Sequence, residues 1–192
     1  MVLDDASLAE PLAAALARGG LRTAEITFRT AAAAESIRIM AADPEMLVGA
    51  GTVLTRDQVD QAVKAGARFI VSPGFGRTVV RHCQQLGVPV FPGVATATEI
   101  QNALEVGVTT VKFFPAEQLG GAAMVKALAA PFRDVRFIPT GGVTAESAAE
   151  YVRAGAVAVG LGSWLTGSGE PALVAERARQ VVAALAEVER PA

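Results

Sequence analysis

Histidine and cysteine each occur once in this chain of 192 residues, as His82 and Cys83, and aromatic residues make up only 5% of it. A single cysteine excludes an internal disulfide bond, and one histidine beside one cysteine excludes zinc sites built from several His and Cys ligands. The two residues are neighbours in a predicted helix, from Thr78 to Leu86, where adjacent side chains diverge. We therefore expect a surface histidine and a packed thiol, not a catalytic pair.

The sequence also lacks a large net charge of either sign and a long apolar run. Lys and Arg number 17 against 19 Asp and Glu, so the net charge of −2 provides no basic surface for nucleic acid or for an anionic membrane. No apolar run reaches the ~18 residues of a membrane-spanning helix, and the first residues lack the basic, apolar and small-residue order of a signal peptide. These absences favour a cytoplasmic enzyme that binds any phosphate through local groups.

Hydrophobic residues, at 52%, and glycines, of which there are 19, are plentiful and recur in one pattern. A helical stretch is followed by a glycine, a short apolar or β-branched run and a Gly/Pro/Ser turn, at steps of roughly 20 to 28 residues. The pattern occurs in AGARFIVSPG, LGVPVFPG, VGVTTVKFFP and AGAVAVGLGS, and less strictly in GGLRTAEITFRT and DVRFIPTGG. The glycine suits the end of a helix, and the run suits a strand that is buried on both faces. Seven strands with intervening helices are predicted, and Met1 to Leu3 suit the end of an eighth.

Repeated helix and strand units of this kind predict an eight-stranded parallel (β/α) barrel, since such a chain can close on itself without reversing the sheet. A doubly wound open sheet stays possible from the pattern alone, whereas a leucine-rich solenoid needs a leucine consensus that is absent. The stretch from Pro171 to Val188 is predicted to be the last covering helix, and no linker precedes it. One domain over residues 1–192 is expected.

The stretch VKFFPAE, Val111 to Glu117, places a lysine inside an apolar strand. Side chains alternate across a strand, so Lys112 and Phe114 point into the barrel, whereas Val111 and Phe113 face the helices. Lys112 lies near the C-terminal end of its strand, where barrels of this kind place their chemistry. Desolvation there disfavours the protonated amine, and a neutral amine can attack a ketone to form a Schiff base.

The same alternation in AEITFRT turns Glu25, Thr27 and Arg29 inward. A buried ion pair between Glu25 and Lys112, or a lysine that extends to solvent, is the purely structural interpretation. The chemical interpretation places an acid and a base in one cavity. Arg29 then suits a carboxylate partner, because a guanidinium fork pairs bidentately with such a group.

Two glycine-rich turns follow the last two strands, TGGV at 140–143 and GLGS at 160–163. Glycine lets backbone N–H groups approach an anion, and the loops after strands seven and eight are the usual phosphate site of this barrel. Tight turns alone are the structural alternative, but the presence of both motifs favours phosphate binding. Among the other turns, GAGTV, SPG and FPG, only Thr52 offers an obvious hydrogen bond to a substrate.

With EITFRT, GAGTVL, SPG, FPG, VKFFPAE, PTGGV and GLGSWL in this order and spacing, the chain resembles the class I 2-keto-3-deoxy-6-phosphogluconate (KDPG) and 4-hydroxy-2-oxoglutarate (KHG) aldolases. The resemblance runs from about Asp4 to the last helix and implies a (β/α)8 TIM barrel, a lyase of the Entner–Doudoroff pathway and a homotrimer. The implied substrate is a phosphorylated keto acid, cleaved to pyruvate and glyceraldehyde 3-phosphate, while KHG would give pyruvate and glyoxylate. No metal or organic cofactor is implied, because the Schiff base is itself the electron sink.

The resemblance also implies roles for single residues. Lys112 is the implied Schiff-base lysine, and Glu25 is the implied general acid and base. The other implied roles are the binding of the pyruvoyl end by Arg29 and Thr52, the shaping of the pocket by Pro92 and Phe114, and the binding of phosphate by Gly141, Gly142, Gly162 and Ser163.

Several alternatives stay open at this point. The related phosphogalactonate aldolases typically carry an asparagine-containing segment where this chain has FRT at 28–30, so the sequence favours phosphogluconate. Another phosphate-binding barrel, such as an isomerase, a decarboxylase or a non-catalytic metabolite binder, is the alternative outside the family. Family members usually carry a leading helix and a full first strand, whereas Met1 to Leu3 are followed directly by two aspartates here. We therefore expect a truncated first strand with a less stable, open edge beside it.

Overall fold

Helices and short parallel strands alternate through the computed structural model, which describes residues 1–188, so the last four residues of the expected 1–192 domain lie outside the described part. The strands are β1 (Thr23–Thr27), β2 (Leu47–Gly51), β3 (Ile70–Val71), β4 (Val90–Phe91), β5 (Gly93–Val94), β6 (Thr110–Phe113) and β7 (Arg136–Pro139). The helices are α1 (Ala9–Arg18), after a 3₁₀ turn at Ala6–Leu8, then α2 (Ala33–Met40), α3 (Arg56–Lys64), α4 (Arg77–Gln85), α5 (Ala97–Glu105), α6 (Gly121–Ala129), α7 (Ala145–Arg153), α8 (Ser163–Thr166) and α9 (Pro171–Ala186). The predicted last helix is confirmed, and it ends at Ala186 instead of Val188.

All the strands are parallel and follow one another in chain order, β1 to β4 in one sheet and β5 to β7 in a second. Pro92 separates β4 from β5, since a proline has no N–H to donate to a ladder. Its carbonyl oxygen still accepts a hydrogen bond from Lys112 N, at 2.9 Å, so the chain passes directly from one sheet to the other. A parallel bridge between Thr140 and Gly160 extends the same order to residues 157–160.

The first residues of the chain occupy the position of a first strand. Thr27 N donates to the carbonyl oxygen of Met1 at 2.9 Å, so the segment Met1–Leu3 lies beside β1 as expected. On the other side, Val157 N donates to Phe137 O in β7 at 3.1 Å. Within residues 1–188, no backbone hydrogen bond joins 157–160 to Met1–Leu3. The chain therefore follows the predicted (β/α) barrel order, with an opening between its first and last segments.

Alternation of side chains along the strands is as the sequence predicts. Ile26 in β1 and Val111 and Phe113 in β6 are fully buried in the apolar layer between strands and helices. Across the described residues, no helix has the length and hydropathy needed to cross a lipid bilayer. The helix layer therefore packs on the strands, and the opposite strand faces are left for the barrel interior.

Threonine caps set where three of the covering helices begin. Thr55, Thr96 and Thr144 precede α3, α5 and α7, and each hydroxyl oxygen accepts a hydrogen bond from the backbone N–H three residues later. Such a cap stabilises a helix by about 1 kcal/mol and fixes where the preceding turn ends. For α7, that turn is the TGGV motif, so the cap at Thr144 fixes one end of a predicted phosphate site.

We expect the segment beside the opening to exchange its amide hydrogens faster than the middle of the sheet. Residues 157–160 bond to β7 on one side only, whereas β6 lies between β5 and β7. Amides with one ladder partner open through smaller fluctuations. Native-state hydrogen exchange with mass spectrometry would compare the two segments, and equal protection would mean that the opening is closed in solution.

Candidate active site

A cavity of about 1140 Å³ lies within the barrel and extends to α1, whose Leu12 and Leu16 also line it. Nine of the ten residues to which the sequence assigned a site role line it: Glu25, Arg29, Thr52, Lys112, Phe114, Gly141, Gly142, Gly162 and Ser163. They come from β1, β6, the start of α8 and five loops, so residues far apart in sequence share one space. The fold thus brings together the acid, the lysine, the guanidinium and both glycine-rich turns.

Lys112 and Glu25 face each other inside this cavity. The Lys112 Nζ atom lies 3.6 Å from Glu25 Oε1, and the two side chains are 10% and 28% exposed. Lys112 Nζ also lies 5.1 Å from the centre of the Phe114 ring, in a cation–π arrangement. The amine therefore sits between a carboxylate and an aromatic face, with little access to bulk water.

The α-amino group of Met1 adds a third charged group to this end of the cavity, where it donates to the carbonyl oxygen of Glu25. Burial lowers the pKa of this amine, the negative charge of Glu25 opposes that effect, and the nearby positive charges of Lys112 and Arg29 add to it. Two basic side chains, Lys112 and Arg29, thus lie near one carboxylate and a buried amine whose charged form is disfavoured, and the two side chains favour an anionic ligand.

The absence of a side chain at Gly51 leaves room for the carboxylate of Glu25. β1 and β2 pair in parallel, with Thr27 opposite Gly51. A Cβ atom built on Gly51 would lie 1.9 Å from Glu25 Oε1 and 2.6 Å from its carboxyl carbon. Any side chain at position 51 would therefore push the carboxylate away from its present position beside Lys112.

Arg29 and Thr52 lie at the same end of the cavity as Glu25. None of the ion pairs within residues 1–188 involves Arg29, so its guanidinium is available to a ligand carboxylate. Thr52 has a φ of 53°, and it alone among the described non-glycine residues has a positive φ. A left-handed threonine costs about 1 kcal/mol or more, and such strain concentrates at functional sites.

Both glycine-rich turns present free backbone donors. Within the described chain, the N–H groups of Gly141, Gly142, Gly162 and Ser163 donate to no protein acceptor. Gly141 and Gly142 have φ values of 102° and 81°, which suit glycine, and successive N–H groups of such turns can form an anion-binding concavity. The two turns adjoin because Thr140 and Gly160 form a bridge. They are suited to a tetrahedral anion.

The second turn is fixed from behind by the last helix. Arg177 in α9 donates a hydrogen bond to the carbonyl oxygen of Trp164, and its guanidinium carbon lies 5.5 Å from the centre of the Trp164 ring. Trp164 directly follows Ser163 at the start of α8. The position of the Ser163 N–H therefore depends on a contact with a helix that begins eight residues later, at Pro171.

Pro92 does not line the cavity, although it was expected to shape the pocket. It is buried outside the cavity lining, and its contribution is the carbonyl oxygen that accepts from Lys112 N. Phe91 lines the cavity instead, together with Val71 and Pro73 from the previous strand and turn. Alternation along the strand gives this result directly, since neighbours such as Phe91 and Pro92 face opposite sides.

His82 and Cys83 lie outside the site, as expected. Burial raises the pKa of the Cys83 thiol to about 11, which makes it a packed thiol. His82 is less exposed than the expected surface histidine: its side chain is 12% exposed, and Nε2 lies 2.7 Å from Asp60 Oδ1. Within residues 1–188, no three His, Cys, Asp or Glu side chains cluster in a way that could hold a metal ion.

Known proteins of one family are similar to this chain over most of its length. A family model described as "KDPG and KHG aldolase" matches residues 1–181. A 2-dehydro-3-deoxy-phosphogluconate aldolase of Treponema pallidum is 55% identical over 158 residues, which cover 82% of this chain and 75% of that protein.

Solved structures are similar over nearly the whole chain. The 2-keto-3-deoxy-6-phosphogluconate aldolase of Zymomonas mobilis superimposes with a TM-score of 0.89 at 40% identity, covering 94% of this chain and 89% of that one. The KDPG aldolase of Legionella pneumophila superimposes with a TM-score of 0.88 at 36% identity, over 94% of this chain and 91% of that one. That structure holds pyruvate as a covalent carbinolamine intermediate.

Substitution of Gly51 by alanine tests the geometry of the acid. We expect Gly51→Ala to displace the Glu25 carboxylate and to lower kcat by ~10²-fold, the usual scale for loss of a general acid or base. Gly74→Ala is the matched control, because a Cβ there meets no atom within 4 Å. Steady-state kinetics and thermal unfolding of both variants would separate displacement from unfolding, and a kcat equal to that of Gly74→Ala would contradict the assignment.

Proposed function

The chain belongs to the KDPG and KHG aldolase family and is a lyase, and on that premise we propose that it cleaves KDPG through a Schiff base on Lys112. One observation carries the proposal: a buried lysine amine lies 3.6 Å from a carboxylate, in a cavity that also presents two turns of free N–H groups. An isomerase or a metabolite binder with the same phosphate turns has no need of that lysine.

Carbinolamine formation is the first chemical step. The neutral Lys112 amine attacks the C2 ketone of the keto acid, while Arg29 pairs with the substrate carboxylate and Thr52 donates a hydrogen bond. Glu25 takes the proton that Lys112 loses on becoming neutral and delivers it, through a water molecule, to the C2 oxygen. A second proton, from the attacking nitrogen, completes the water molecule that leaves. The product is an iminium between Lys112 Nζ and C2, whose positive charge can accept an electron pair.

Cleavage of the C3–C4 bond follows. Glu25, directly or through that water, removes the proton of the C4 hydroxyl, the C4 carbonyl forms, and the electron pair of the C3–C4 bond moves into the iminium. Glyceraldehyde 3-phosphate leaves from the end of the cavity beside the glycine-rich turns. Glu25 then returns a proton to C3 of the enamine, and hydrolysis releases pyruvate and the free amine. The iminium serves as the electron sink, so the proposed steps use no metal or organic cofactor.

KHG is the proposed second substrate, because it presents the same 2-keto and 4-hydroxy groups to Lys112 and Glu25. It has no phosphate and would yield pyruvate and glyoxylate by the same bond cleavage. The proposal also includes a homotrimer, which the resemblance in sequence implies, and the cytoplasmic location that the composition favours.

Reductive trapping with pyruvate tests the covalent mechanism. We expect borohydride to add one reduced pyruvyl group at Lys112 and to inactivate the protein, since the iminium is reduced to a stable amine. The exposed Lys64 and Lys126 provide internal controls in the same digest. Peptide mass spectrometry locates the adduct, and labelling at Met1, Lys64 or Lys126 with Lys112 unmodified would contradict the mechanism.

Removal of the Ser163 hydroxyl tests the phosphate site. Ser163→Ala should raise KM for KDPG by about 10-fold or more, the scale of one hydrogen bond to a charged group, and leave KM for KHG within about twofold. A lactate dehydrogenase-coupled assay of pyruvate release measures both substrates. Equal losses on the two substrates would mean that the turn supports only the fold.

A further inference from the structure

The loop after β6 is bonded to the turn after β7. Ala116 N donates to Thr140 O at 2.8 Å, and Glu117 N donates to Gly141 O at 3.1 Å. The ladder between β6 and β7 thus continues past the ends of both strands. The backbone that follows Lys112 is in this way attached to the backbone of the first glycine-rich turn.

The side chain of Glu117 contacts the same turn and the helix that follows it. A Cβ built on Gly142 would lie 2.4 Å from Glu117 Cγ, so the stem of Glu117 lies directly against Gly142. The Glu117 carboxylate accepts a hydrogen bond of 2.7 Å from the hydroxyl of Tyr151 in α7. Glu117 therefore bridges the turn at its glycine face and the helix on its far side.

Tyr151 provides a fixed donor for this bridge. Its side chain is 1% exposed and lies in the apolar core, so its ring cannot follow a moving loop. Burial raises the pKa of Tyr151, and the hydrogen bond to Glu117 and its negative charge raise it further. The hydroxyl thus keeps its proton and remains a donor throughout the neutral range.

We propose that Glu117 and Tyr151 are positioning residues that hold the turn at Gly141 and Gly142 ready for phosphate and so select phosphorylated substrates. Neither residue lines the cavity, so neither acts on the reacting atoms. A turn of two glycines with positive φ has many accessible conformations, and a bridge across it removes those in which the N–H groups diverge. This inference rests on the proposed phosphate site.

Three variants test the bridge. Tyr151→Phe keeps the buried ring and removes the donor, Glu117→Ala removes the whole contact, and Glu117→Gln keeps an acceptor oxygen for the tyrosine hydroxyl. We expect the first two to raise KM for KDPG by about 10-fold, with kcat and KM for KHG within about twofold, and Glu117→Gln to recover most of the loss seen in Glu117→Ala. Glu150→Gln, an exposed carboxylate beside Tyr151, is the matched control.

Two further measurements separate this inference from the proposed function. Titration with inorganic phosphate, followed by ³¹P NMR, should show about 10-fold weaker binding in Tyr151→Phe and Glu117→Ala, whatever the reaction catalysed. Pyruvate trapping at Lys112 should be equal in all variants, because pyruvate carries no phosphate, and its absence from the parent chain would overturn the proposed function alone. Equal losses on KDPG and KHG, unchanged phosphate affinity, or a Glu117→Gln variant as impaired as Glu117→Ala would overturn the bridge.

Discussion

A lysine amine beside a carboxylate, inside the cavity of the barrel, is the interaction on which the rest of the site depends. Burial of charge costs solvation free energy, which the protein offsets by keeping the two groups together and placing the Phe114 ring beside the lysine. The 3.6 Å between Lys112 Nζ and Glu25 Oε1 exceeds a strong hydrogen bond, so a ligand or a water molecule can enter between them. The fully buried Val111 and Phe113 fix the strand that carries the lysine, so the amine cannot move toward solvent.

The residues that point into the cavity could be predicted from the alternation of side chains along the strands. This alternation places Lys112 and Glu25 in one cavity because the two-residue period follows from backbone sterics and holds even in strands as short as β3. The resemblance implied that Pro92 shapes the pocket, but the two-residue alternation turns its neighbour Phe91 into the cavity instead.

Contacts between neighbouring strands and turns could not be predicted, because they depend on register and rotamer. Three times in this barrel a polar side chain lies over a glycine from the next element: Glu25 over Gly51, Thr140 over Gly160 and Glu117 over Gly142, where an added Cβ would lie 1.9, 2.2 and 2.4 Å from the nearest atom. In the sequence these glycines are indistinguishable from those that end helices. The abundance of glycine therefore has two causes, helix termination and room for polar groups, and only the structure separates them.

The geometry of the donors, more than net charge, determines how a substrate with two anionic ends would lie. A chain with a net charge of −2 offers little long-range attraction, so orientation is decided within the cavity. Arg29 has a planar fork that matches a carboxylate, whereas the N–H groups of the glycine-rich turns match a tetrahedral phosphate. The carboxylate of Glu117, beside the first of these turns, is bonded to the Tyr151 hydroxyl and so directed toward α7. A keto acid bound the other way round would bring its phosphate to a planar fork and its carboxylate to a tetrahedral cradle, and neither end would be satisfied.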